Sequence, residues 1–150
     1  MGLNYAEHQI IVTFGTKAGT TRTPINLEST YQTESGQTTA TKTFETGGFS
    51  KLNLDVLYTM GGSETSNSIE IKFEGSTDGT NFYRLPNDTT TAGVSVLTAR
   101  EFTFVGTDGA ASTISVGLDI FYKKMKVSAK ETGVSSNKGT IYGEITLSGK

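Results

Sequence analysis

Apolar and polar residues alternate along much of the chain with a period of two residues, not with the 3.6-residue period of a helix. The clearest stretches are SKLNLDVLYTM at 50–60 and SIEIKFEG at 68–75. Their apolar residues on one face are Leu52, Leu54, Val56, Tyr58, Met60, Ile69, Ile71 and Phe73. Such alternation predicts antiparallel strands with one face in a core and the other in solvent.

Further strands are predicted along the rest of the chain. They are QIIVTF at 9–14, VSVLTAREFTFVG at 94–106 with a break near 98–101, and TIYGEITLSG at 140–149, whose Ile141, Ile145 and Leu147 point inward. Weaker edge strands or an extended arm are predicted at 24–30 and 41–45, and PNDTTTAG at 86–93 reads as a polar loop. We expect about eight strands at the spacing typical of sandwiches and barrels.

The apolar parity changes near the middle of the C-terminal half. The apolar positions are even-numbered from Ile114 to Ile120 and odd-numbered afterwards, at Phe121, Met125, Val127 and Ala129. An unbroken strand cannot keep both sets inside, because a shift of one residue reverses the faces. The sequence therefore predicts a kink near 119–122 and a long strand at 121–131.

These elements predict an all-β fold: an antiparallel, jelly-roll-like β-sandwich with an extended N-terminal segment. We expect one domain over 1–150, in which 49–150 form the sandwich core and 1–48 are partly an extended arm or edge strands. The length of 150 residues and the apolar fraction of 34% suit a single thin core between two sheets.

The stretch FEGSTDGTNFYRL at 73–85 raises a choice between a ligand loop and a turn. Asp-Gly between two apolar runs is typical of a hairpin, in which Asp78 accepts backbone hydrogen bonds and Gly79 takes a positive φ. Asp78, Asn81 and Asp108 offer oxygen ligands for calcium, but the spacing of an EF-hand loop and its closing Glu are missing. The turn is the favoured interpretation, and no metal or cofactor is predicted.

Charge and composition exclude several other functions. The net charge is −2, with 13 basic and 15 acidic residues, so neither nucleic acid nor an anionic membrane is an expected partner. The chain has no Cys, which removes disulfides and thiolate metal sites. No signal-peptide pattern or membrane-length apolar run appears, so we expect a soluble chain made inside the cell.

No catalytic constellation stands out, and we expect no enzyme activity. His8 is the only histidine, and no Gly-x-Ser-x-Gly motif accompanies it. Glu70 and Glu74 lie about 13 Å apart on a regular strand, too far for a glycosidase pair. A small-molecule ligand is not expected either.

The C-terminal half, about residues 67–150, resembles a known group of proteins. Its residues are EGSTDGTNFYRLP at 74–86, the Phe-rich strand after it, DIFYKKMKVSAKETG at 119–133 and GTIYGEITLSG at 139–149. This pattern is similar to that of small β-sandwich virion proteins of tailed phages, which are capsid decoration (cement) proteins or tail and fibre components.

The resemblance implies a non-enzymatic protein on the outer surface of a phage head, made in the host cytoplasm. Its implied partners are the major capsid protein and further copies of itself, as a homo-oligomer, specifically a trimer. An alternative is a tail or fibre module that binds host glycans or another virion protein. Candidate interface residues are Tyr83, Arg84, Lys123, Lys124 and Lys126. The lysines are interpreted either as guards of a sheet edge or as contacts to an acidic capsid surface.

Overall fold

The computed structural model describes residues 8–84, 86–91, 94–99, 101–107 and 109–149, and side chains are described there except at 84, 86–91, 94–99 and 101. All regular structure in these ranges is β-strand, which confirms the all-β prediction, and no helix there is long and apolar enough to cross a membrane. The strands are β1 (Gln9–Phe14), β2 (Thr16–Ala18), β3 (Thr21–Thr23), β4 (Ile25–Asn26), β5 (Thr41–Glu45), β6 (Lys51–Thr59), β7 (Ser68–Ser76), β8 (Tyr83–Arg84), β9 (Pro86–Thr91), β10 (Val94–Ala99), β11 (Glu101–Val105), β12 (Ala111–Asp119), β13 (Lys124–Thr132) and β14 (Thr140–Ser148).

Eight of these strands build two facing sheets. The β6 sheet has the order β1-β14-β6-β12, and the short β4 adds to β14. The β7 sheet has the order β11-β7-β13-β5, and the short β8 adds to β7. Every pairing within these sheets is antiparallel.

The pairing follows a simple rule along the chain. Counting only the eight sheet-forming strands, the first pairs with the last (β1 with β14) and the second with the seventh (β5 with β13). The third pairs with the sixth (β6 with β12), and the fourth with the fifth (β7 with β11). This is the pairing of a long antiparallel ribbon folded over on itself, which is the jelly-roll arrangement.

The core lies between the two sheets and is built by the predicted inward faces. The eight apolar residues predicted to point inward are all buried. Seven of them lie in β6 and β7, and the eighth, Met60, directly follows β6. The core also contains Ile141, Ile145 and Leu147 of β14, as predicted from the closing strand. Aromatic packing contributes, since the rings of Phe73 and Phe102 meet edge to face with centroids 6.2 Å apart.

Two sequence predictions in the C-terminal half are wrong in detail. The kink predicted near 119–122 is a crossing between sheets, and the long strand predicted at 121–131 begins later: β12 ends at Asp119 in the β6 sheet, and β13 begins at Lys124 in the β7 sheet. The parity changes there because the chain crosses from one sheet to the other. Phe121 lies on this crossing and is 80% exposed, whereas the parity pattern placed it inside.

The stretch predicted as a polar loop at 86–93 also differs. Residues 86–91 form β9, which pairs with β10 in continuous register from Val94 opposite Thr91 to Ala99 opposite Pro86. Pairing with a partner strand, not an apolar pattern of its own, makes β9 a strand. The break predicted near 98–101 is found, because β10 ends at Ala99 and β11 begins at Glu101; Arg100 lies outside the described residues.

Two short ribbons stand apart from the sandwich pairing. β2 pairs with β3, β9 pairs with β10, and neither pair joins the β6 sheet or the β7 sheet. Within residues 9–48, β1 and β5 are edge strands of the two sheets, and Phe14, Leu27 and Phe44 are buried in the core.

Candidate interaction surfaces

The 73–85 stretch is a hairpin, as predicted, with Gly75 opposite Tyr83 across β7 and β8. Oδ1 of Asp78 accepts hydrogen bonds from the backbone N–H groups of Thr80 (2.7 Å) and Asn81 (2.8 Å) and from the Ser76 hydroxyl (2.9 Å). These donors, the backbone ones first, hold the pKa of Asp78 well below its usual range. Gly79 supplies the positive φ of +82°.

The Asp78 carboxylate is thus fully engaged in forming the turn. Its second oxygen accepts a bond from the side-chain amide of Asn81 at 2.7 Å. Asp108, the third candidate calcium ligand, lies outside the described residues. The geometry of 76–81 is accounted for by turn formation, in agreement with the favoured interpretation of the sequence.

The hairpin turn lies beside the crossing between β12 and β13. The backbone N–H of Lys123 donates to the Ser76 carbonyl (3.0 Å), and the N–H of Thr46 donates to the Lys123 carbonyl (3.1 Å). The ring of Tyr122 packs on Gly75, where an added Cβ would come within 2.4 Å of the ring. The loops at 46–49, 76–82 and 120–123 therefore form one end of the sandwich as a connected unit.

This end of the sandwich carries exposed aromatic surface. Phe121 is 80% exposed and Tyr83 is 70% exposed. Lys123 is exposed as well, and no ion pair to it is found among the described residues. An open groove of about 430 Å³ runs between Phe121 and the Gly47–Gly48 turn. We call the surface formed by Tyr83, Phe121, Lys123 and loop 46–49 the aromatic end.

The other two candidate lysines lie on the outer face of the β7 sheet, and each has a carboxylate partner. Lys124 lies 3.5 Å from Glu45 and Lys126 lies 4.0 Å from Glu74, while Lys126 also lies over the Phe82 ring at 4.4 Å. Their strand β13 runs between β7 and β5, so the prediction that they guard a sheet edge is wrong. The side chain of Arg84 lies outside the described part of the structure.

A second surface lies on the outer face of the β6 sheet, next to the β2–β3 ribbon. Lys17 of the ribbon forms an ion pair with Glu144 at 3.2 Å. The guanidinium of Arg22 lies over the Tyr142 ring at 5.5 Å. These two contacts hold the ribbon on the sheet, and beside it lies an open groove of about 410 Å³ lined by Asp55 among others. We call this the ribbon groove.

The floor of the ribbon groove is polar and hydrogen-bonded. The Tyr142 hydroxyl donates to Oε1 of Glu144 at 2.6 Å, and the Ser115 hydroxyl donates to Oδ1 of Asp55 at 2.9 Å. Burial, and then the bond to Glu144, raises the pKa of Tyr142 to about 12. The same bond lowers the pKa of Glu144, so this carboxylate is ionised at neutral pH. Sequence reasoning missed this site because its residues come from three separate strands and the ribbon.

The opposite end of the sandwich contains two buried carboxylates that the sequence did not single out. Glu131 accepts from the Tyr58 hydroxyl (2.6 Å) and from the Gly139 backbone N–H (2.7 Å). Glu64 accepts from three consecutive backbone N–H groups, those of Ser135, Ser136 and Asn137, at 2.6–2.8 Å. These bonds lower the pKa of Glu64 to about 2. Both carboxylates fasten loops to the sandwich.

The residues considered for catalysis lie apart from one another. His8 is exposed and borders an open groove with Asp119, which is ion-paired with Lys51 at 2.9 Å. Glu70 pairs with Lys130 at 3.2 Å, and Glu74 lies 3.7 Å from Lys72. Within the described ranges, no three His, Asp or Glu side chains are grouped so that they could hold a metal ion.

Comparison with known proteins gives likeness in fold. No protein-family model and no curated protein sequence matches the chain. The crystal structure of the SPBc2 prophage-derived protein YomS matches over 99% of this chain and 98% of that chain, with 13% identity and a TM-score of 0.50. A chain of the T13 viral particle of infectious bursal disease virus matches over 97% of this chain and 31% of its own length, with 9% identity and a TM-score of 0.54. At these identities the similarity concerns the sandwich fold.

Proposed function

We propose that this protein is a structural protein of a virion and, more finely, a decoration (cement) protein on the outer surface of a tailed-phage head. Support for the coarser role comes from the jelly-roll sandwich, a fold shared with a prophage-derived protein and with a chain of an icosahedral viral particle. Support for the finer role comes from the resemblance of residues 67–150 to the β-sandwich virion proteins of tailed phages. The proposal includes the major capsid protein as partner and a non-enzymatic role.

The aromatic end is the observation that carries the proposal of a protein partner. Two large aromatic side chains, Tyr83 and Phe121, are exposed at the same end of the sandwich as Lys123, which makes no ion pair among the described residues. Aromatic residues dominate binding energy at protein interfaces, and exposed Lys123 favours an acidic surface opposite them. The loops beneath are fixed by backbone hydrogen bonds, so little entropy is lost when they dock.

Many copies on a symmetric shell would make weak contacts sufficient. A decoration protein that bridges capsomers engages several subunits at once, so each contact raises the effective concentration of the next. The trimer implied by the resemblance would multiply the contacts further, and it is part of the proposal. Such binding requires a rigid scaffold with an exposed surface. It does not require an enclosed pocket.

Binding to undecorated phage heads tests the proposal. We expect the purified protein to bind heads in hundreds of copies, counted by cryo-electron microscopy, and Phe121→Ala or Tyr83→Ala to weaken binding about tenfold or more. Val105→Ala is the matched control. Val105 is 71% exposed, but it lies in β11 opposite Ser68, at the end of β7 away from the aromatic end. Absence from the virion and failure to bind heads would remove the decoration role. Equal effects of all three variants would remove the aromatic end as the docking surface.

The ribbon groove supports the alternative, a tail or fibre module that binds host glycans. Its carboxylates, Asp55 and Glu144, and the Ser115 hydroxyl are groups that can hydrogen-bond sugar hydroxyls. A glycan array decides between the two functions. Reproducible hits that Asp55→Asn abolishes would favour the glycan-binding role, and a dozen or fewer copies per particle would place the protein at the tail or a vertex.

A further inference from the structure

β12 forms a long open edge of the β6 sheet. It pairs with β6 over all nine residues, from Ala111 opposite Thr59 to Asp119 opposite Lys51, without a register shift. No other strand among the described residues pairs with its far side. In an antiparallel sheet every second residue of an edge strand directs its N–H and C=O away from the sheet, so about four residues of β12 offer a free ladder.

The other sheet edges are shortened, interrupted or covered. β1 has six residues and a register shift between Val12 and Phe14, which marks a bulge. β5 is covered, because a carboxylate oxygen of Glu34 accepts a hydrogen bond from the Thr43 backbone N–H at 3.0 Å. β11 has only five residues. These are the usual protections of edge strands, and the described contacts of β12 include none of them.

The sequence of β12, ASTISVGLD, also lacks protection. It contains no Lys, Arg or Pro, the residues that commonly block pairing at an edge. The outward-facing residues, Ala111, Thr113, Ser115 and Gly117, are small and exposed, so a neighbouring backbone can approach closely. The inward residues Ile114, Val116 and Leu118 are buried, but at 5–8% exposure they are less completely covered than the central core residues, many of which are at 0%. A further strand beside β12 would cover them completely.

We propose that β12 pairs antiparallel with β12 of a second copy of this chain, joining two β6 sheets into one continuous sheet. The strand is complementary to itself in this arrangement. Full overlap of 111–119 places Ser115 opposite Ser115 at the two-fold axis, so small polar residues meet at the centre. The one charged residue of the strand, Asp119, then faces Ala111 of the other copy, and no like charges meet.

The inference extends the proposed function without depending on it. A two-fold contact joins copies in pairs, so it generates assemblies with an even number of chains. A trimer held by other surfaces would become a pair of trimers through this contact. On a head, such pairing would link neighbouring decoration proteins sideways while the aromatic end faces the capsid.

The mass of the protein in solution is the first test and requires no phage heads. Sedimentation equilibrium over a concentration series is expected to give two or six times the chain mass of 16.0 kDa. A monomer up to the highest concentration, or a trimer alone, would overturn the proposal. Because heads are absent, this failure is distinguishable from failure of the decoration role.

Single cysteines then test the register, because the chain contains no Cys of its own. In the proposed pairing, Ser115→Cys places two thiols on directly opposed residues, whose Cα separation of about 4.5–5.5 Å suits a disulfide. Thr113→Cys is the matched control: Thr113 is also exposed on the same strand. In the proposed pairing, however, residue 113 faces Gly117 of the other copy. Its own counterpart lies about 13 Å away along the strand.

We expect most Ser115→Cys chains to migrate as a covalent dimer after mild oxidation and Thr113→Cys chains to remain at monomer mass. Both variants replace exposed side chains and leave the core unchanged, so thermal melting checks that both fold. Equal cross-linking of the two variants, or none in either, would overturn the register and the proposal. Amide hydrogen exchange in β12 that is slowed only when the protein is bound to heads, and not in the free protein, would also overturn the proposal. It would indicate that β12 pairs with the capsid protein.

Discussion

Replacing Tyr58 by Phe tests whether the buried carboxylate Glu131 organises the end of the sandwich opposite the aromatic end. Glu131 is fully buried, and its Oε1 accepts the Tyr58 hydroxyl at 2.6 Å and the Asn67 side-chain amide at 3.3 Å. Its Oε2 accepts the backbone N–H of Gly139 at 2.7 Å. The carboxylate thereby ties β6, β13 and the loops on either side of them together. Burial, and then the hydrogen bond to Glu131, raises the pKa of Tyr58 well above its ordinary value.

The Phe variant keeps the ring in the core and removes one hydrogen bond to a buried charge. A hydrogen bond to a charged group contributes about 1.5–3 kcal/mol to the free energy of unfolding. For a chain of this size that loss corresponds to a fall in Tm of about 3–12 °C. Urea unfolding followed by circular dichroism measures the free energy directly, provided that the slope with denaturant is unchanged.

Tyr142→Phe is the matched control for this experiment. Its hydroxyl also donates to a carboxylate at 2.6 Å, but Glu144 is partly exposed and has Lys17 as a second partner. Water replaces the lost bond there, so we expect a loss below about 1 kcal/mol. A loss of less than about 0.5 kcal/mol for Tyr58→Phe, or equal losses in the two variants, would refute the reasoning. It would mean that the hydrogen bond lost at Glu131 is replaced as readily as the one at Glu144.

Two further predictions concern the loops. Since the pKa of Glu64 is about 2 in the folded protein and ordinarily 4.5, its stabilising contribution is complete above pH 4.5 and is lost as the pH falls towards 2. The difference in unfolding free energy between the native protein and Glu64→Gln is therefore expected to narrow from pH 6 to pH 2.5. A constant difference would contradict a stabilising role for the ionised Glu64 carboxylate. Gly75→Ala is expected to cost about 1–3 kcal/mol because its Cβ would overlap the Tyr122 ring. Gly62→Ala, which meets no atom within 4 Å, is the control in thermal melts, and equal melting points would argue against close packing at Gly75.

Local alternation predicted the strands well because it depends only on which face of each strand is buried. The large apolar inward side chains of β6 and β7, and Ile141, Ile145 and Leu147 of β14, were identified from period two alone. The turn at Asp78 and Gly79 was likewise predictable, because Asp-Gly between two apolar runs satisfies its own backbone locally. The predicted interface residues differ in their surroundings: Tyr83 and Lys123 are exposed, whereas Lys124 and Lys126 are paired with carboxylates from other strands. Their contact with a partner stays a prediction.

The misses share a physical cause. Phe121 follows the inward parity of β13, yet it lies where the chain crosses between sheets, so parity no longer states which side is core. Residues 86–91 lack an apolar pattern and form β9 only because β10 pairs with them. The buried positions of Glu64 and Glu131 depend on donors in loops and strands up to 73 residues away, which no local pattern contains.

The sequence by itself determined that this protein is all-β, where most of its strands lie and which face of each is apolar. Those properties follow from the two-residue repeat of an extended chain. Only the tertiary structure decided which strands pair, which sheet edge is left without a further strand among the described residues, and which aromatic side chains remain in water. Strand pairing is set by hydrogen bonds between residues far apart along the chain, and alternation carries no label that says which strand will be the neighbour.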